Sequence, residues 1–264
     1  MKYFLACLIV LSFFPGASGK EAWKKEEQFW TELARLNEVM FNRTDEVIKQ
    51  LKLTNEIYQA TEEKSTTMFG ALFKSTMRFH EYHSPNKTLK NYIEENISKI
   101  PDSNSFKHLY LSQLAILQFA SGELKKFRAN LDHLKQNNAF TFAATVELMT
   151  SPNELNYENL LSHCTDICNF YIYHQSVANY FLELGHYNLL EEFASEMVND
   201  FYSISKENTD IRSFTFLGYL YLAKKCQFQD IDSLSNLNKS LTNDINHLEG
   251  FSNKFANLLA SECK

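Results

Sequence analysis

The stretch VANYFLELGHYNLLEEFASEM, residues 177–197, decides the fold. Apolar residues recur three or four positions apart on both sides of Gly185, which is the spacing of amphipathic helices. A glycine directly after a helix ends it by adopting the left-handed backbone conformation that other residues avoid. We therefore predict a helical hairpin that turns at Gly185.

The same order of helix, turn and helix repeats through residues 63–264. The turns fall near residues 85, 122, 152, 185 and 227, at intervals of 37, 30, 33 and 42 residues. One of them, Ser151-Pro152-Asn153-Glu154, matches a capping box with proline at the first helical position. A single helix pair cannot bury its apolar face, whereas stacked pairs share a continuous core. We predict an all-α fold in which stacked antiparallel helix pairs form an α-solenoid.

Residues 20–62 carry a different, continuous pattern. Its apolar positions lie three or four apart among many charged residues. They are Phe29, Leu33, Leu36, Met40, Val47, Leu51 and Tyr58. This spacing predicts one long amphipathic helix near 40 residues in length. The helix would either lie along the rest of the chain or join two copies through residues 22–62.

The first nineteen residues have the features of a secretory signal peptide. Lys2 supplies a positive start, FLACLIVLSFF an apolar core, and Ala17-Ser18-Gly19 the small residues of a cleavage site. The apolar run is shorter than the roughly 20 residues that a membrane-spanning helix needs. We predict that residues 1–19 are removed and that the protein is secreted and extracellular.

Composition limits the choice of partners. Without Lys2, 25 basic and 32 acidic residues remain, which gives a net charge of −7. No block of lysine or arginine stands out in the sequence, so neither nucleic acid nor an anionic membrane is expected as a partner. Seven glycines and four prolines leave little material for a strand-and-turn fold.

Four Asn-X-Ser/Thr triplets agree with export. They begin at Asn42, Asn86, Asn96 and Asn238. In a eukaryotic secretory pathway each is a candidate for N-glycosylation.

The sequence contains no strong catalytic motif. In His80-Glu81-Tyr82-His83 the histidines are three apart, whereas a zinc-protease helix needs them four apart. The run from His163 to Cys168 could supply metal ligands, but a second pair with matching spacing is missing. Nucleophile elbows and phosphate-binding glycine loops are also missing. We predict a protein that is not an enzyme and binds neither metal nor cofactor.

Four cysteines remain once Cys7 leaves with the signal peptide: Cys164, Cys168, Cys226 and Cys263. An even number in an exported chain predicts two disulfides. Four cysteines allow three pairings, and spacing alone leaves all three open.

Several of the predicted first helices resemble those of tetratricopeptide repeats. Phe214-x-x-Leu217-Gly218-x-x-Tyr221 matches the pattern of large, large-small and aromatic residues, and the helix before Gly185 is similar. The second helices depart from that family, because Leu190 and Phe127 stand where it has a small residue. The resemblance implies a binding groove lined by the first helices. Its positions here would be Gln175, Asn179, Glu183, Arg212, Thr215 and Tyr219.

The resemblance also bears on the disulfides. In such an array the first helices run parallel, so their corresponding ends are neighbours. Cys226 ends one first helix and Cys263 follows the next, which implies a Cys226–Cys263 bond. The remaining pair would then be the local Cys164–Cys168.

Two functions follow as hypotheses. The leading one is a secreted, non-catalytic helical-repeat protein that binds another protein or an extended peptide. The alternative is a carrier of a lipid or another apolar small ligand, in which phenylalanines such as Phe73, Phe181 and Phe216 would line a cavity instead of a core.

Overall fold

The structure, a computed structural model, describes residues 17–101, 105–164, 171–204 and 211–263. Within these ranges the chain is all-α and contains no strand, as predicted. The helices are α1 (Ala17–Glu38), α2 (Thr44–Ala60), α3 (Thr66–His83), α4 (Asn86–Asn96), α5 (Ser105–Ala120), α6 (Leu124–Gln136), α7 (Phe140–Thr150), α8 (Glu154–His163), α9 (Tyr171–Glu183), α10 (Tyr187–Ile204), α11 (Ile211–Cys226), α12 (Asp232–Asp244) and α13 (Glu249–Leu259). The predicted signal peptide lies almost entirely outside the described residues.

The chain divides into two compact units. The first ends at Thr76 and the second begins at Met77, so the boundary falls inside α3. The sequence pattern placed this division earlier, at residue 62. The change of apolar pattern at residue 62 marks the end of a helix, whereas α3 continues from one unit into the next.

The first unit corrects the prediction of one long helix over residues 20–62. The chain forms two helices, α1 and α2, that pack against each other. The rings of Phe29 and Tyr58 lie 5.8 Å apart, and Gln50 Nε2 donates to the Glu32 backbone oxygen at 3.0 Å. Apolar spacing continues through the turn because Met40 is itself fully buried there. Two antiparallel helices facing each other therefore give the pattern of one longer helix.

The second unit is an array of helical hairpins. Its pairs are α5 with α6, α7 with α8, α9 with α10 and α11 with α12. The first helix of each pair also packs on the first helix of the next, through α5, α7, α9, α11 and α13. The turns lie where the sequence placed them. We call α3, α5, α7, α9, α11 and α13 the first helices below.

The hairpin turn at Gly185 has the geometry that its sequence predicts. Gly185 takes a φ of +72°, and His186 donates its backbone N–H to Phe181 O at 2.8 Å. Gly122 repeats this turn with a φ of +76°. Asn138 and Phe228 also have positive φ values, +57° and +56°, although neither is a glycine. All four residues occupy the left-handed position that ends a helix.

The large residue Leu190 is accommodated in the core of this unit. Its side chain is fully buried, in a cluster that includes Ala178, Phe181, Ala194 and Phe216. A large residue at this position is therefore compatible with packing of α9 and α10.

The helix that follows Ser151 begins later than the capping box predicts. Asn153 is the N-cap of α8, and its Oδ1 accepts from the backbone N–H of Asn156 at 3.0 Å. Ser151 instead accepts bonds from asparagine side chains through its backbone oxygen. Asparagine caps a helix as well as serine does. Ser151 and Asn153 were therefore both candidates for the N-cap, and the structure uses Asn153.

The predicted bond between Cys226 and Cys263 is present. Their Cα atoms are 5.4 Å apart, and the bond ties the end of α11 to the residues that follow α13. Cys164 follows α8 directly. Its predicted partner Cys168 lies outside the described residues, so that pair stays a prediction.

Candidate ligand cavity

The second unit contains a cavity of about 290 Å³ lined mainly by the first helices. All six of them contribute, together with Asn86 at the start of α4. The lining residues are Glu81, Tyr82, Asn86, Gln113, Ile116, Leu117, Ala120, Met149, Tyr171, Ile172, Gln175, Thr215, Tyr219, Phe251, Lys254, Phe255 and Leu258. The resemblance implied a groove lined by the first helices, and these helices line the cavity.

Helix α13 closes one side of the cavity. It packs on α11, and its Phe251 ring meets that of Tyr82 edge-on at 6.3 Å. Gly250 sits so close to the end of α3 that an added Cβ would lie 2.5 Å from Ser84 O. On α11, a Cβ at Gly218 would lie 2.8 Å from Leu258 Cδ2. Two glycines thus allow α13 to approach both α3 and α11.

One wall of the cavity carries a hydrogen-bonded polar cluster. The hydroxyls of Tyr171 and Thr215 are 2.7 Å apart, and Gln175 Nε2 donates to the Tyr171 hydroxyl at 3.0 Å. Tyr171 and Gln175 are one turn apart on α9, while Thr215 comes from the next first helix. The cluster therefore connects α9 with α11 and presents polar atoms to the cavity.

Burial determines the ionisation of two of the three tyrosines that line the cavity, Tyr171 and Tyr219. It raises the pKa of Tyr171 well above the usual value, and the negative charge of Glu81 adds to this increase. Burial also raises the pKa of Tyr219, with a further contribution from Glu183. Both phenols are neutral at physiological pH, so they offer hydrogen bonds and not charge.

The rest of the lining combines apolar walls with two charges. Ile116, Leu117 and Met149 come from α5 and α7, and Phe251, Phe255 and Leu258 come from α13. Glu81 and Lys254 are half-buried at the end of α3 and in the middle of α13. A mostly apolar pocket with a few placed polar groups is the usual composition of a small-molecule site.

Three of the six predicted groove residues line this cavity: Gln175, Thr215 and Tyr219. Asn179 and Glu183 are half-buried on α9 and do not line it. The side chain of Arg212 lies outside the described part of the structure. Thr215 and Tyr219 are buried, and the assignment of the six positions to a binding groove stays a prediction.

Sequence reasoning missed Tyr171, Glu81 and Lys254. Tyr171 lies four residues before Gln175, on the same helix face, so the helical period was sufficient to find it. Glu81 and Lys254 come from helices far apart in sequence, and only the contact between α3 and α13 brings both to the cavity. The phenylalanines considered for a ligand cavity, Phe73, Phe181 and Phe216, are buried in the core instead.

The predicted glycosylation sites differ in accessibility. Asn42 and Asn86 are exposed and Asn96 is half-buried. The side chain of Asn238 is only 3% exposed, and its amide atoms have no hydrogen-bond partner. An oligosaccharide on Asn238 is incompatible with this packing, so we retain the other three sites as predictions.

Comparisons with known proteins were negative. No protein-family model matches the chain, and no curated protein or solved structure matches it. The tetratricopeptide-like relationship therefore stays a prediction. Among the described residues, no helix is both long and apolar enough to span a membrane, and no cluster of possible metal ligands occurs.

Proposed function

We propose that the second unit binds one small amphipathic molecule in the cavity, without catalysis. The observation that carries this proposal is the cavity itself, with its apolar walls, its Tyr171–Thr215–Gln175 cluster and its closure by α13. Its volume of about 290 Å³ lies at the lower end of the range for ligand pockets. A long-chain lipid or an extended peptide fits this volume poorly, so the proposal narrows the carrier hypothesis to small ligands.

A fluorescence titration with N-phenyl-1-naphthylamine, an uncharged apolar dye, tests this proposal. We expect the full chain to bind one dye molecule. The variant Ile116→Trp fills the cavity and should weaken binding at least about tenfold, which corresponds to roughly 1.4 kcal/mol. Leu155→Trp adds the same ring at a position that is 73% exposed on α8, and it serves as the control. Equal affinity in both variants, or no binding by the parent, would contradict the proposal.

We further propose that the protein acts outside the cell as a glycoprotein. The signal-like sequence of residues 1–19 supports this, and the Cys226–Cys263 bond is compatible with an oxidising compartment. When the full-length protein is expressed in a secretory cell line, we expect to find it in the medium. The variant that lacks residues 2–19 should stay inside the cells. Enzymatic glycan removal should lower its mass, with contributions from Asn42, Asn86 and Asn96. Retention of the full-length protein would contradict export.

A second candidate function is binding to another protein through the first unit. Both tryptophans of the chain lie on α1 seven residues apart, and Trp23 and Trp30 are 48% and 36% exposed. Residues at this spacing share one helix face, and tryptophan is enriched at interaction hot spots. The partner could be a second copy, as residues 22–62 suggested. A monomeric mass by light scattering, unchanged in Trp23→Ser/Trp30→Ser, would exclude self-association.

A further inference from the structure

Two opposite charges of the cavity have no ion-pair partner among the residues that the structure describes. Glu81 and Lys254 both line it and are half-buried, yet neither forms an ion pair or a side-chain hydrogen bond with a described residue. Two other lysines of this unit do form ion pairs, the buried Lys90 and the half-buried Lys224. Lys90 pairs with Glu123, and Lys224 Nζ lies 2.7 Å from Glu191 Oε1.

The two charges lie on different helices that line the cavity, Glu81 on α3 and Lys254 on α13. The negative charge of Glu81 contributes to the raised pKa of Tyr171, which lines the same cavity. Lys254 lies on α13, three residues after Phe251 and directly before Phe255. The two side chains do not form an ion pair with each other, although both residues line the same cavity. Partly desolvated charges of this kind gain most from a ligand that brings the complementary charges.

We propose that the ligand is a small zwitterion with an apolar side group, of the amino-acid or dipeptide class. Its ammonium group would pair with Glu81 and its carboxylate with Lys254, while the apolar group lies against Phe251 and Phe255. The amide of Gln113, which also lines the cavity, offers a further hydrogen bond. The volume of about 290 Å³ suits a molecule of this size. This inference rests on the proposed function and names the chemical class of its ligand.

Three probes with the same phenyl group separate the contributions of the two charges. L-Phenylalanine carries both charges, 2-phenylethylamine only the positive one, and 3-phenylpropanoate only the negative one. Each is titrated into the full chain at pH 7 by calorimetry. We expect L-phenylalanine to bind at least about tenfold more tightly than either singly charged probe, since each fully formed charge pair is worth a factor of this order.

Variants of the two charged residues assign each pair. Glu81→Gln should weaken L-phenylalanine and 2-phenylethylamine about tenfold and leave 3-phenylpropanoate unchanged. Lys254→Met, and Lys254→Gln as a second replacement, should weaken L-phenylalanine and 3-phenylpropanoate and leave 2-phenylethylamine unchanged. Glu192→Gln and Lys239→Met change exposed charges on α10 and α12 and serve as matched controls. Circular dichroism verifies that each variant is folded.

The outcomes separate this inference from the proposed function. Equal affinity for the three probes, or no effect of Glu81→Gln and Lys254→Met, would overturn the zwitterion assignment. The proposed function survives that result if N-phenyl-1-naphthylamine still binds and Ile116→Trp still weakens it. If N-phenyl-1-naphthylamine also fails to bind, or if Ile116→Trp does not weaken its binding, the cavity is not a binding site.

Discussion

Phe228 occupies a backbone conformation that bulky side chains rarely adopt. Its φ is +56°, and its side chain is 98% exposed at the turn between α11 and α12. The left-handed region costs a residue with a Cβ roughly 1–2 kcal/mol, and glycine avoids this cost. The exposed ring gains almost nothing from packing in return.

We therefore predict that Phe228→Gly stabilises the protein by up to about 1 kcal/mol, because the strain outweighs the added flexibility of the unfolded chain. Phe228→Ala is the matched control, since it removes the ring but keeps the Cβ, and it should leave stability nearly unchanged. Urea unfolding measures both changes. A loss of stability in Phe228→Gly would mean that the ring has a packing role.

Gly250 provides a second residue-scale prediction. A Cβ there would lie 2.5 Å from Ser84 O and 2.7 Å from Glu81 O, both backbone atoms that cannot move alone. Gly250→Ala should cost about 1–3 kcal/mol by overpacking, despite the better helix propensity of alanine. It should also weaken dye binding, because α13 must move away from α3. Asn253→Ala, at an exposed position of the same helix, is the control, and equal stability of the two variants would contradict the close approach.

The groove residues show how far single positions can be read from sequence. Helical spacing and the family resemblance identified Gln175, Thr215 and Tyr219, which do line the cavity. Neither helical spacing nor the family resemblance predicts that α13 packs against the end of α3. Sequence patterns therefore offer no reason to combine Glu81 with Lys254 in one site.

At the scale of elements, a polar network joins α4, α5 and α6. Gln118 is buried on α5 and donates to Glu94 Oε1 at 2.8 Å, while Asn130 on α6 donates to Gln118 Oε1 at 2.8 Å. Lys126 lies 3.2 Å from the same Glu94 oxygen. Gln118 is a buried polar residue in a largely apolar helix. Its amide bridges two neighbouring helices, which accounts for a polar residue at this position.

This network predicts a pH-dependent contribution to stability. Burial alone would raise the pKa of Glu94, but hydrogen bonds from Gln118 and Lys126 and the charges of Lys126 and Lys90 outweigh it and lower the pKa below its usual value. A carboxyl with a lowered folded pKa stabilises the fold above its unfolded pKa, and this contribution is lost as pH falls through the folded pKa.

Glu94→Gln should therefore destabilise the protein by about 1 kcal/mol at pH 7, a value reduced by the partial exposure of Lys126. The difference from the parent should shrink when urea unfolding is repeated at about pH 3, below the usual carboxyl range. Glu192→Gln, at an exposed carboxyl of α10, should change little at either pH. A difference for Glu94→Gln that is the same at both pH values would rule out the charged network.

Helices and their ends were predicted with unequal success. The turns at Gly122 and Gly185 were found because glycine marks a left-handed position, whereas Asn138 supplies the same conformation with a weaker signal. The turn after α1 was missed because Met40 continues the apolar spacing and the turn contains neither glycine nor proline. Asp45 and Glu46 in the first turn of α2 were the available signal, since acidic residues favour helix starts.

At the scale of the whole chain, the Cys226–Cys263 bond spans 37 residues and retains α13 beside α11. A crosslink of this length reduces the entropy of the unfolded chain, and its typical contribution is about 2–4 kcal/mol. Cys226→Ser/Cys263→Ser should lose stability of this size and bind the dye more weakly, because α13 closes the cavity. Urea unfolding of oxidised and reduced parent protein provides the control. An unchanged midpoint would show that α13 is held by packing alone.

The hairpin array follows from sequence because its contacts are local, within a pair and between adjacent pairs. Turn spacing and apolar period specify such contacts directly. Closure of the cavity is different, since it depends on a contact between residues near 82 and residues near 251. Gly250 and Gly218 permit that contact, but their role is visible only once the helices that approach them are known.

Native mass spectrometry of the intact protein with N-phenyl-1-naphthylamine tests the central claim most directly, namely that the cavity of the helical array holds one small molecule. We predict a single bound molecule per chain in the parent protein and in Leu155→Trp, and a much smaller bound fraction in Ile116→Trp. The same bound fraction in Ile116→Trp as in the parent, or no bound molecule in the parent, would contradict it.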